Sequence, residues 1–315
     1  MADTPRISVI IPNWNGAHLL PTCLDALRAQ SYADYEVIVV DNASRDESCA
    51  LIRRAYPEVR LLPLPTNRGL TGGCNAGIAI ARGEIIALLN NDTEADPHWL
   101  AALVSALDRH PDAGSAATKI LLYDRRDVLN SAGDLYGRDG LPNSRGVWQQ
   151  DRGQFDREEY VFGACGGAVA YRRRMLDEIG LLDEGFFMYC EDVDLAWRAQ
   201  LAGWRCIYAP EARIYHRLSA TGGGVTASYY TGRNTLYVLA KDVPPTLRRK
   251  YARRIWAAQL RIAWDALRAW RGEAARARLR GQLAGLRDWP RLARRHREVA
   301  QFRRVSDAYL ESILS

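Results

Sequence analysis

The first ninety residues alternate short apolar runs with segments of helical periodicity. The runs at 7–11, 35–40, 59–64 and 85–89 are rich in Val, Ile and Leu, which is the composition of buried strands. The segments between them place apolar residues three and four positions apart, the spacing of one helix face. Strands that alternate with helices form βαβ units, so this pattern predicts a mostly parallel sheet covered by helices on both faces.

Each predicted strand ends in polar residues. These polar segments are 12–16, 41–46, 66–69 and 90–93. A single polar strand end is commonly a turn or a helix cap. In open α/β sheets, however, ligands bind beyond the carboxyl ends of the strands, and all four segments lie at that edge. Together they predict a binding site.

Three acids, Glu191, Asp192 and Asp194, directly follow the mainly apolar and aromatic residues 186–190. Repulsion between the acids and partial loss of hydration raise proton affinity, which suits a general base. A helix that begins near Glu191 would instead stabilise the ionised forms, and the acids would then pair with Arg198. The residues by themselves leave both interpretations open.

Several function classes lack their signatures. No GxGxxG follows the first strand and no GxxxxGK[ST] occurs, so neither a dinucleotide-binding site nor a P-loop is predicted. The six cysteines contain no CxxC pair, which disfavours a zinc site or a disulfide framework. The glycine-rich segment 69–77 either receives a phosphate at a helix start or serves close packing. No Lys- or Arg-rich glycine loop follows the first strand, which disfavours a nucleotidyltransferase.

Six segments carry a family resemblance when they are taken in chain order. They are 8–15, 39–46, 67–77, 88–93, 191–195 and 230–234. In this order they resemble the family 2 inverting glycosyltransferases of GT-A fold, and within them a bacterial rhamnosyltransferase-like branch. The resemblance covers residues 6–240 and implies an α/β fold with a Rossmann-like, mostly parallel sheet flanked by helices.

The resemblance implies a site for a nucleotide-diphosphate sugar. Pro12, Asn13, Asn15 and Asp41 match the family's nucleoside pocket, and Arg68 with the glycines after it matches the contacts to the base and the phosphates. The full set of implied contacts is Pro12, Asn13, Asn15, Asp41, Asn42, Arg68, Gly69, Asn75, Asn91, Glu191 and Arg233.

The resemblance also implies a metal site and a catalytic base. Residues 90–92 match the family's DxD motif, but Asn90 replaces the first acid, so Asp92 is the carboxylate expected to bind Mg²⁺ or Mn²⁺. His216 matches a histidine that contacts the metal or the diphosphate, and Asp192 matches the base. One base opposite one leaving group implies direct displacement with inversion at the anomeric carbon.

The chain ends in a basic segment of different composition. Residues 246–315 contain 18 Lys and Arg residues against 6 Asp and Glu residues. On a helical wheel the apolar residues Trp256, Leu260, Ala263, Trp264, Leu267 and Trp270 form one stripe, and Arg254, Arg261 and Arg268 form another. The segment either lies on an anionic membrane or packs on the catalytic domain with a solvated arginine face. It carries no nucleic-acid reading motif, so we expect no nucleic-acid partner.

These expectations combine into one hypothesis. A GT-A domain at 5–242 and a basic amphipathic helical extension at 243–315 form a metal-dependent inverting glycosyltransferase. Its favoured donor is dTDP-L-rhamnose, and its acceptor is a hydroxyl of a cell-surface glycan or a lipid-linked molecule. The irregular middle, 120–160, is expected to contribute to a second substrate site.

The alternative hypothesis is a non-catalytic protein of the same fold that binds a nucleotide sugar or acts as a membrane-associated scaffold. The apolar runs are too short to span a bilayer, and no secretory signal is recognised. We therefore expect a cytoplasmic protein, with peripheral attachment to the inner face of the cell membrane left open.

Overall fold

The computed structural model of the chain describes residues 4–218 and 223–315. In chain order the elements are β1 (Ile7–Asn13), α1 (Leu20–Arg28), β2 (Tyr35–Asp41), α2 (Ser48–Ala55), β3 (Arg60–Pro63), α3 (Gly69–Ile80), β4 (Ile85–Leu89), β5 (Thr93–Ala95), α4 (Trp99–Arg109), β6 (Ala113–Leu122), β7 (Leu129–Ala132), β8 (Asp134–Tyr136), β9 (Pro142–Ser144), β10 (Glu159–Val161), β11 (Ala168–Arg172), α5 (Arg173–Ile179), α6 (Glu191–Leu201), β12 (Arg205–His216), α7 (Gly224–Lys241), α8 (Pro245–Lys250), α9 (Ala252–Arg268), α10 (Glu273–Ala300) and α11 (Asp307–Ser312).

A single mixed sheet forms the centre of the molecule. Its main strands lie in the order β10-β12-β6-β11-β4-β1-β2-β3, while β5 pairs with β12 and β7 pairs with β6. The neighbours β4, β1, β2 and β3 run parallel, as the βαβ pattern predicts. Strand β11 lies between β4 and β6 and runs antiparallel to both. Beyond it, β6 and β12 run parallel to each other. The predicted fold class is confirmed.

Helices cover both faces of this sheet. Along β1, Val9 and Ile11 pack against α1 and α4 on one face, whereas Ile10 packs against α3 on the other. Because successive strand residues point to opposite faces, a strand buried on both sides must be apolar at nearly every position. This requirement explains the continuous Val and Ile runs of the sequence.

The glycine-rich segment forms α3, and part of its glycine content serves packing. A Cβ atom added at Gly77 would lie 2.5 Å from Cγ2 of Ile10 and 3.0 Å from Cγ2 of Val40. Gly69, at the start of the helix, has φ +73° and lies against Phe187. Glycine is the residue that tolerates both demands, so close packing accounts for these two positions.

The C-terminal helices share an apolar core with the preceding part of the chain. Buried residues of α6 and α7, such as Trp197 and Leu239, belong to the same apolar cluster as Leu292 and Leu310. Helix α10 approaches α7 so closely that a Cβ added at Gly281 would lie 2.1 Å from the carbonyl oxygen of Tyr229. The predicted boundary at 242/243 therefore separates two stretches that bury one apolar surface together.

Candidate active site

A cavity of about 1360 Å³ opens at the carboxyl ends of β1, β2 and β4. Segments that are distant in sequence form its walls: 12–14, 90–92, 142–148, 165–167 and 187–193. His216 and residues of α7 complete the lining. The strand-end residues and the acidic segment therefore face the same space.

Asp92 and His216 meet at one end of this cavity. Thr93 of β5 pairs with His216 of β12, and this register brings the preceding residue, Asp92, beside the histidine. Nε2 of His216 lies 3.2 Å from Oδ1 of Asp92. On the other side of the ring, Nδ1 lies 3.0 Å from Oδ1 of Asn130. An amide oxygen only accepts, so this contact requires a proton on Nδ1, while Nε2 faces the carboxylate of Asp92.

The chemistry of this pair fits a divalent cation. A lone pair of Nε2 and a carboxylate oxygen at 3.2 Å repel each other unless a proton or a metal ion lies between or beside them. Oxygen and imidazole nitrogen are suitable ligands for Mn²⁺, and the carboxylate also suits Mg²⁺. Among residues 4–218 and 223–315, no three His, Cys, Asp or Glu side chains form a metal site. Asp92 and His216 are therefore the side chains that would hold such an ion.

The first strand end is held by a chain of side-chain hydrogen bonds. Nδ2 of Asn91 donates to Oδ1 of Asn13 at 2.7 Å, and Nδ2 of Asn13 donates to Oδ1 of Asp41 at 3.2 Å. Oδ2 of Asp41 accepts from the backbone N–H of Ser44 at 3.0 Å. Asn42 bridges this edge to α3, since its Nδ2 donates to the carbonyl of Gly69 at 2.8 Å. These contacts fix the floor of the cavity.

The structure divides the predicted nucleotide-sugar residues into two groups. The cavity is lined by Pro12, Asn13, Asn42, Gly69, Asn91 and Glu191, together with the predicted metal ligands and the predicted base. It is not lined by Asn15, Asp41, Arg68, Asn75 and Arg233. Asp41 lies directly behind the lining, as the acceptor for Asn13.

The residues that do not line the cavity have contacts of their own. Oδ1 of Asn15 accepts from the backbone N–H of Arg45, and Arg68 pairs with Glu184 at 2.8 Å. Oδ1 of Asn75 accepts from the N–H of Leu182, and its Nδ2 donates to the carbonyl of the same residue. These side chains connect neighbouring segments of the chain and do not line the cavity.

Arg233 and Asn234 hold the loop that leads into α6. In this loop Phe187, Tyr189 and Cys190 all adopt positive φ, between +63° and +66°. Nδ2 of Asn234 donates to the carbonyl of Tyr189 at 2.6 Å, and a guanidinium nitrogen of Arg233 donates to the carbonyl of Phe186. Backbone strain of this kind persists only where surrounding contacts determine the conformation. Residues 233 and 234 therefore position the acidic segment from behind.

The three acids of the segment divide between the cavity and the core. Helix α6 begins at Glu191, and Glu191 and Asp192 both line the cavity. Asp194, two residues on, points the opposite way and is fully buried. Its Oδ2 accepts from Arg198 at 2.7 Å and its Oδ1 from Lys241. The interpretation in which the acids pair with Arg198 is thus correct for Asp194. Asp192, in contrast, has no cationic partner among the described residues.

The surroundings of Asp192 suit a proton acceptor. Oδ2 accepts from the N–H of Gly166 and Oδ1 from the N–H of Val193, both at 2.8 Å. Burial raises the pKa of Asp192, and the two N–H donors act in the opposite direction. Burial and the neighbouring charge of Asp192 raise the pKa of Glu191 to about 8. A carboxylate with raised proton affinity is a better general base than an exposed one.

Two residues of the lining were not singled out from the sequence. Asp134 and Trp148 lie in the irregular middle of the chain, and both face the cavity. Burial and the charge of Asp192 raise the pKa of Asp134 to about 7. No sequence motif surrounds either residue. The packing of β8 and β9 beside the sheet brings both residues to the cavity.

Comparison with known proteins decides the family. The family model described as "Glycosyl transferase family 2" matches residues 8–180. This chain belongs to glycosyl transferase family 2. The match covers more than half of the chain and contains the strand ends described above, so the resemblance drawn from the six segments is confirmed.

Individual members of the family differ from this chain in length and in name. The O-antigen biosynthesis protein RfbC of Myxococcus xanthus is 31% identical over 69% of this chain, which spans only 18% of that longer protein. A Mycobacterium tuberculosis protein named N-acetylglucosaminyl-diphospho-decaprenol L-rhamnosyltransferase is 27% identical, with 76% of this chain and 85% of that protein covered.

A solved structure supports the GT-A fold. The mannosyltransferase of Pyrobaculum calidifontis in complex with GDP-Man and Mn²⁺ superposes with a TM-score of 0.57 at 19% identity. The superposition covers 96% of this chain and 86% of that protein, so the C-terminal helices are included in it.

Proposed function

We propose that this member of family 2 is a metal-dependent inverting glycosyltransferase that uses a nucleotide-diphosphate sugar. One observation carries the proposal: Asp92 with His216, and Asp192 with Glu191, line the same cavity from different elements of the fold. Sugar transfer requires a site for the departing diphosphate and a base for the incoming hydroxyl. The two pairs of residues meet these requirements.

Each group has a defined task in this mechanism. Asp92 and His216 would hold Mg²⁺ or Mn²⁺, and the ion would stabilise the negative charge that accumulates on the leaving diphosphate. Asn13, Asn42 and the start of α3 orient the nucleoside. Asp192 accepts the proton of the acceptor hydroxyl as its oxygen bonds to the anomeric carbon, and the diphosphate leaves from the opposite face with inversion.

Several relatives and neighbours support the choice of substrates. The Mycobacterium tuberculosis relative is named an L-rhamnosyltransferase that acts on a lipid-linked sugar diphosphate, and the Pyrobaculum structure holds GDP-Man with Mn²⁺. We propose dTDP-L-rhamnose as the donor and a cell-surface glycan or a lipid-linked glycan as the acceptor class.

A donor screen tests this part of the proposal. Thermal stabilisation by dTDP-L-rhamnose, UDP-sugars and GDP-Man is measured with and without Mn²⁺, since a ligand that binds the native state raises its melting temperature. Release of free nucleotide diphosphate from the best donor distinguishes an enzyme from a non-catalytic binding protein. Binding without release, in the presence of glycan acceptors, would favour the second function.

We further propose that α9 attaches the protein to an anionic membrane. Among the described residues, none of the helices combines the length and the hydropathy that a bilayer crossing requires. Helix α9 packs on the protein through Ile255, Ala258 and Ala266, and its opposite side exposes an apolar stripe. The stripe consists of Trp256, Leu260, Trp264 and Leu267, followed by Trp270, with exposed fractions between 42% and 69%.

Charge favours a lipid surface as the partner of this stripe. Arg254, Arg261 and Arg268 are exposed beside it, and each basic residue near an anionic surface contributes about 1 kcal/mol. Flotation with vesicles of phosphatidylglycerol and phosphatidylcholine is the test. Binding should fall at high salt and in Leu260→Ser/Trp264→Ser, whereas vesicles without anionic lipid should bind weakly. Equal binding of the double variant would refute the attachment.

A further inference from the structure

One wall of the cavity is not used by the proposed donor site. It consists of the β8–β9 hairpin and the turn after it, and it contributes Asp134, Pro142, Asn143, Ser144, Val147 and Trp148 to the lining. The hairpin is firmly attached to the sheet. The N–H of Arg145 donates to the carbonyl of Gly133, and the N–H of Ala132 donates to the carbonyl of Arg145, both at 2.9 Å.

Trp148 is presented to the cavity by a strained turn. Its side chain is 59% exposed, and its backbone has φ +66°, a conformation that is a genuine outlier for a bulky residue. The turn is held in place because the N–H of Trp148 donates to the carbonyl of Leu129 at 2.9 Å and the N–H of Leu129 donates to the carbonyl of Gln149 at 2.8 Å. A single exposed aromatic ring needs no explanation, but a strained one on a cavity wall indicates a ligand site.

Asp134 supplies a polar group on the same wall. The hydroxyls of Ser131 and Ser144 both donate to Oδ1 of this carboxylate, at 3.3 and 3.1 Å. Its other oxygen, Oδ2, has no hydrogen-bond partner in the described part of the chain, and the side chain faces the cavity. The carboxylate is thus fixed in position with one oxygen available to a ligand.

This wall also lies next to the proposed base. The N–H of Asp134 donates to the carbonyl of Gly163 at 2.9 Å, and three residues later the N–H of Gly166 donates to Asp192. A ligand that contacts Asp134 therefore places its hydroxyl groups near Asp192. The hairpin wall is therefore adjacent to the residue that we propose as the base.

From these contacts we propose that the hairpin wall binds the acceptor and that the acceptor's reacting hydroxyl belongs to a pyranose ring. A pyranose has one apolar face of C–H groups and a rim of hydroxyls. The indole of Trp148 suits that face, and Oδ2 of Asp134 suits a hydroxyl of the rim. The inference rests on the proposed glycosyl transfer and adds to it the residues that recognise the acceptor's sugar ring, Trp148 and Asp134, which select it over a simple lipid alcohol.

Binding of sugar probes to the free enzyme tests the proposal without any need for a donor. Octyl β-glucoside, octyl β-galactoside and octyl N-acetyl-β-glucosaminide are titrated by calorimetry below their micellar concentrations, with 1-octanol as the probe that lacks a sugar. Three variants are compared with the wild type: Trp148→Gly, Trp148→Phe and Trp14→Ala. Trp148→Gly is chosen because glycine adopts the positive φ without strain, and this relief offsets part of the folding cost of the substitution. Trp14 is another exposed tryptophan of the cavity and serves as the matched control.

The proposal expects at least one octyl glycoside to bind more tightly than octanol. Trp148→Gly should weaken that binding tenfold or more. Trp148→Phe should stay within fivefold of the wild type, and Trp14→Ala within threefold. Asp134→Asn should weaken the glycoside that binds best, and should leave octanol unaffected.

Two results would overturn the inference. One is equal affinity of wild type and Trp148→Gly for every glycoside, and the other is no preference of the wild type for glycosides over octanol. Donor hydrolysis in the absence of acceptor keeps the two proposals separate. If the wild type releases none from any donor, even when glycan acceptors are added, glycosyl transfer itself is refuted, whatever the probes do.

Discussion

Two isosteric substitutions on α6, Asp192→Asn and Asp194→Asn, should separate catalysis from stability. Asp192 faces the cavity and Asp194 faces the core, although only one residue lies between them. An amide cannot accept the proton of the acceptor hydroxyl. Positioned general bases contribute about 10²- to 10⁴-fold to rate, so kcat of Asp192→Asn should fall by about that factor.

The stability cost of Asp192→Asn should be small. The carboxylate accepts one backbone N–H on each oxygen, and an amide retains an acceptor for only one of them. Loss of one hydrogen bond costs about 1 kcal/mol. The loss is partly offset because burial already disfavours the ionised carboxylate, as its raised pKa indicates. The melting temperature should therefore fall by no more than about 3 °C.

Asp194→Asn should behave in the opposite way. It removes the negative charge that lies between Arg198 and Lys241, and both cations are buried. Breaking a buried ion pair from one side costs about 3–5 kcal/mol, which is a large part of the stability of an ordinary domain. Thermal unfolding followed by circular dichroism and product formation from donor and acceptor are the two assays. The reasoning is refuted if Asp192→Asn keeps more than a tenth of wild-type kcat or if Asp194→Asn melts with the wild type.

Three further perturbations test the site. His216→Ala should weaken Mn²⁺-dependent binding of the donor about tenfold, as measured by calorimetry, and should leave donor binding in EDTA unchanged. Equal donor affinities of the wild type and the variant in Mn²⁺ would argue against His216 as a metal ligand. Glu191 has a pKa raised to about 8, so it is neutral at the pH at which Asp192 ionises. Glu191→Gln should therefore leave the acid limb of the pH–kcat/KM profile unmoved, and a clear shift of that limb would contradict the assignment of Asp192 as the group that ionises first. The pKa of Asp194 is lowered to about 2, whereas those of Glu191 and Asp134 are raised to about 8 and about 7. The ionised form of Asp194 stabilises the fold above about pH 4, and this contribution is lost as pH falls toward 2. The protonated forms of Glu191 and Asp134 stabilise the fold fully below about pH 4, and their contribution is lost progressively as pH rises to about 7 to 8. The melting temperature should accordingly be highest near pH 4 and fall as pH rises to about 8, and a steady rise from pH 6 to 9 would contradict this assignment.

Sequence reasoning located the site by its strand ends, but it did not say which side chains face the cavity. Asn13 and Asp41 close adjacent parallel strands, yet the structure places Asn13 in the lining and Asp41 behind it. Arg233 was expected to contact the nucleotide sugar and instead holds the loop of Phe186. Arg233 does not line the cavity, and its contact with the nucleotide sugar stays a prediction.

The C-terminal segment shows the same limit. Helical periodicity correctly separates an apolar stripe from an arginine stripe on α9. Periodicity alone cannot tell which stripe faces the protein, because an apolar face is equally suited to a core and to a membrane. The packing of Ile255 and Ala258 leaves Trp256, Leu260 and Trp264 outside.

The sequence by itself determined the family, the alternating architecture and the sheet edge at which the cavity lies, because these follow from local periodicity and from motifs that are contiguous in the chain. Only the tertiary structure decided that Asp192 faces the cavity and Asp194 the core. It also placed the hairpin of Asp134 beside Asp192. Such choices depend on contacts between residues far apart in sequence, such as Asp194 with Lys241, and no local pattern records them.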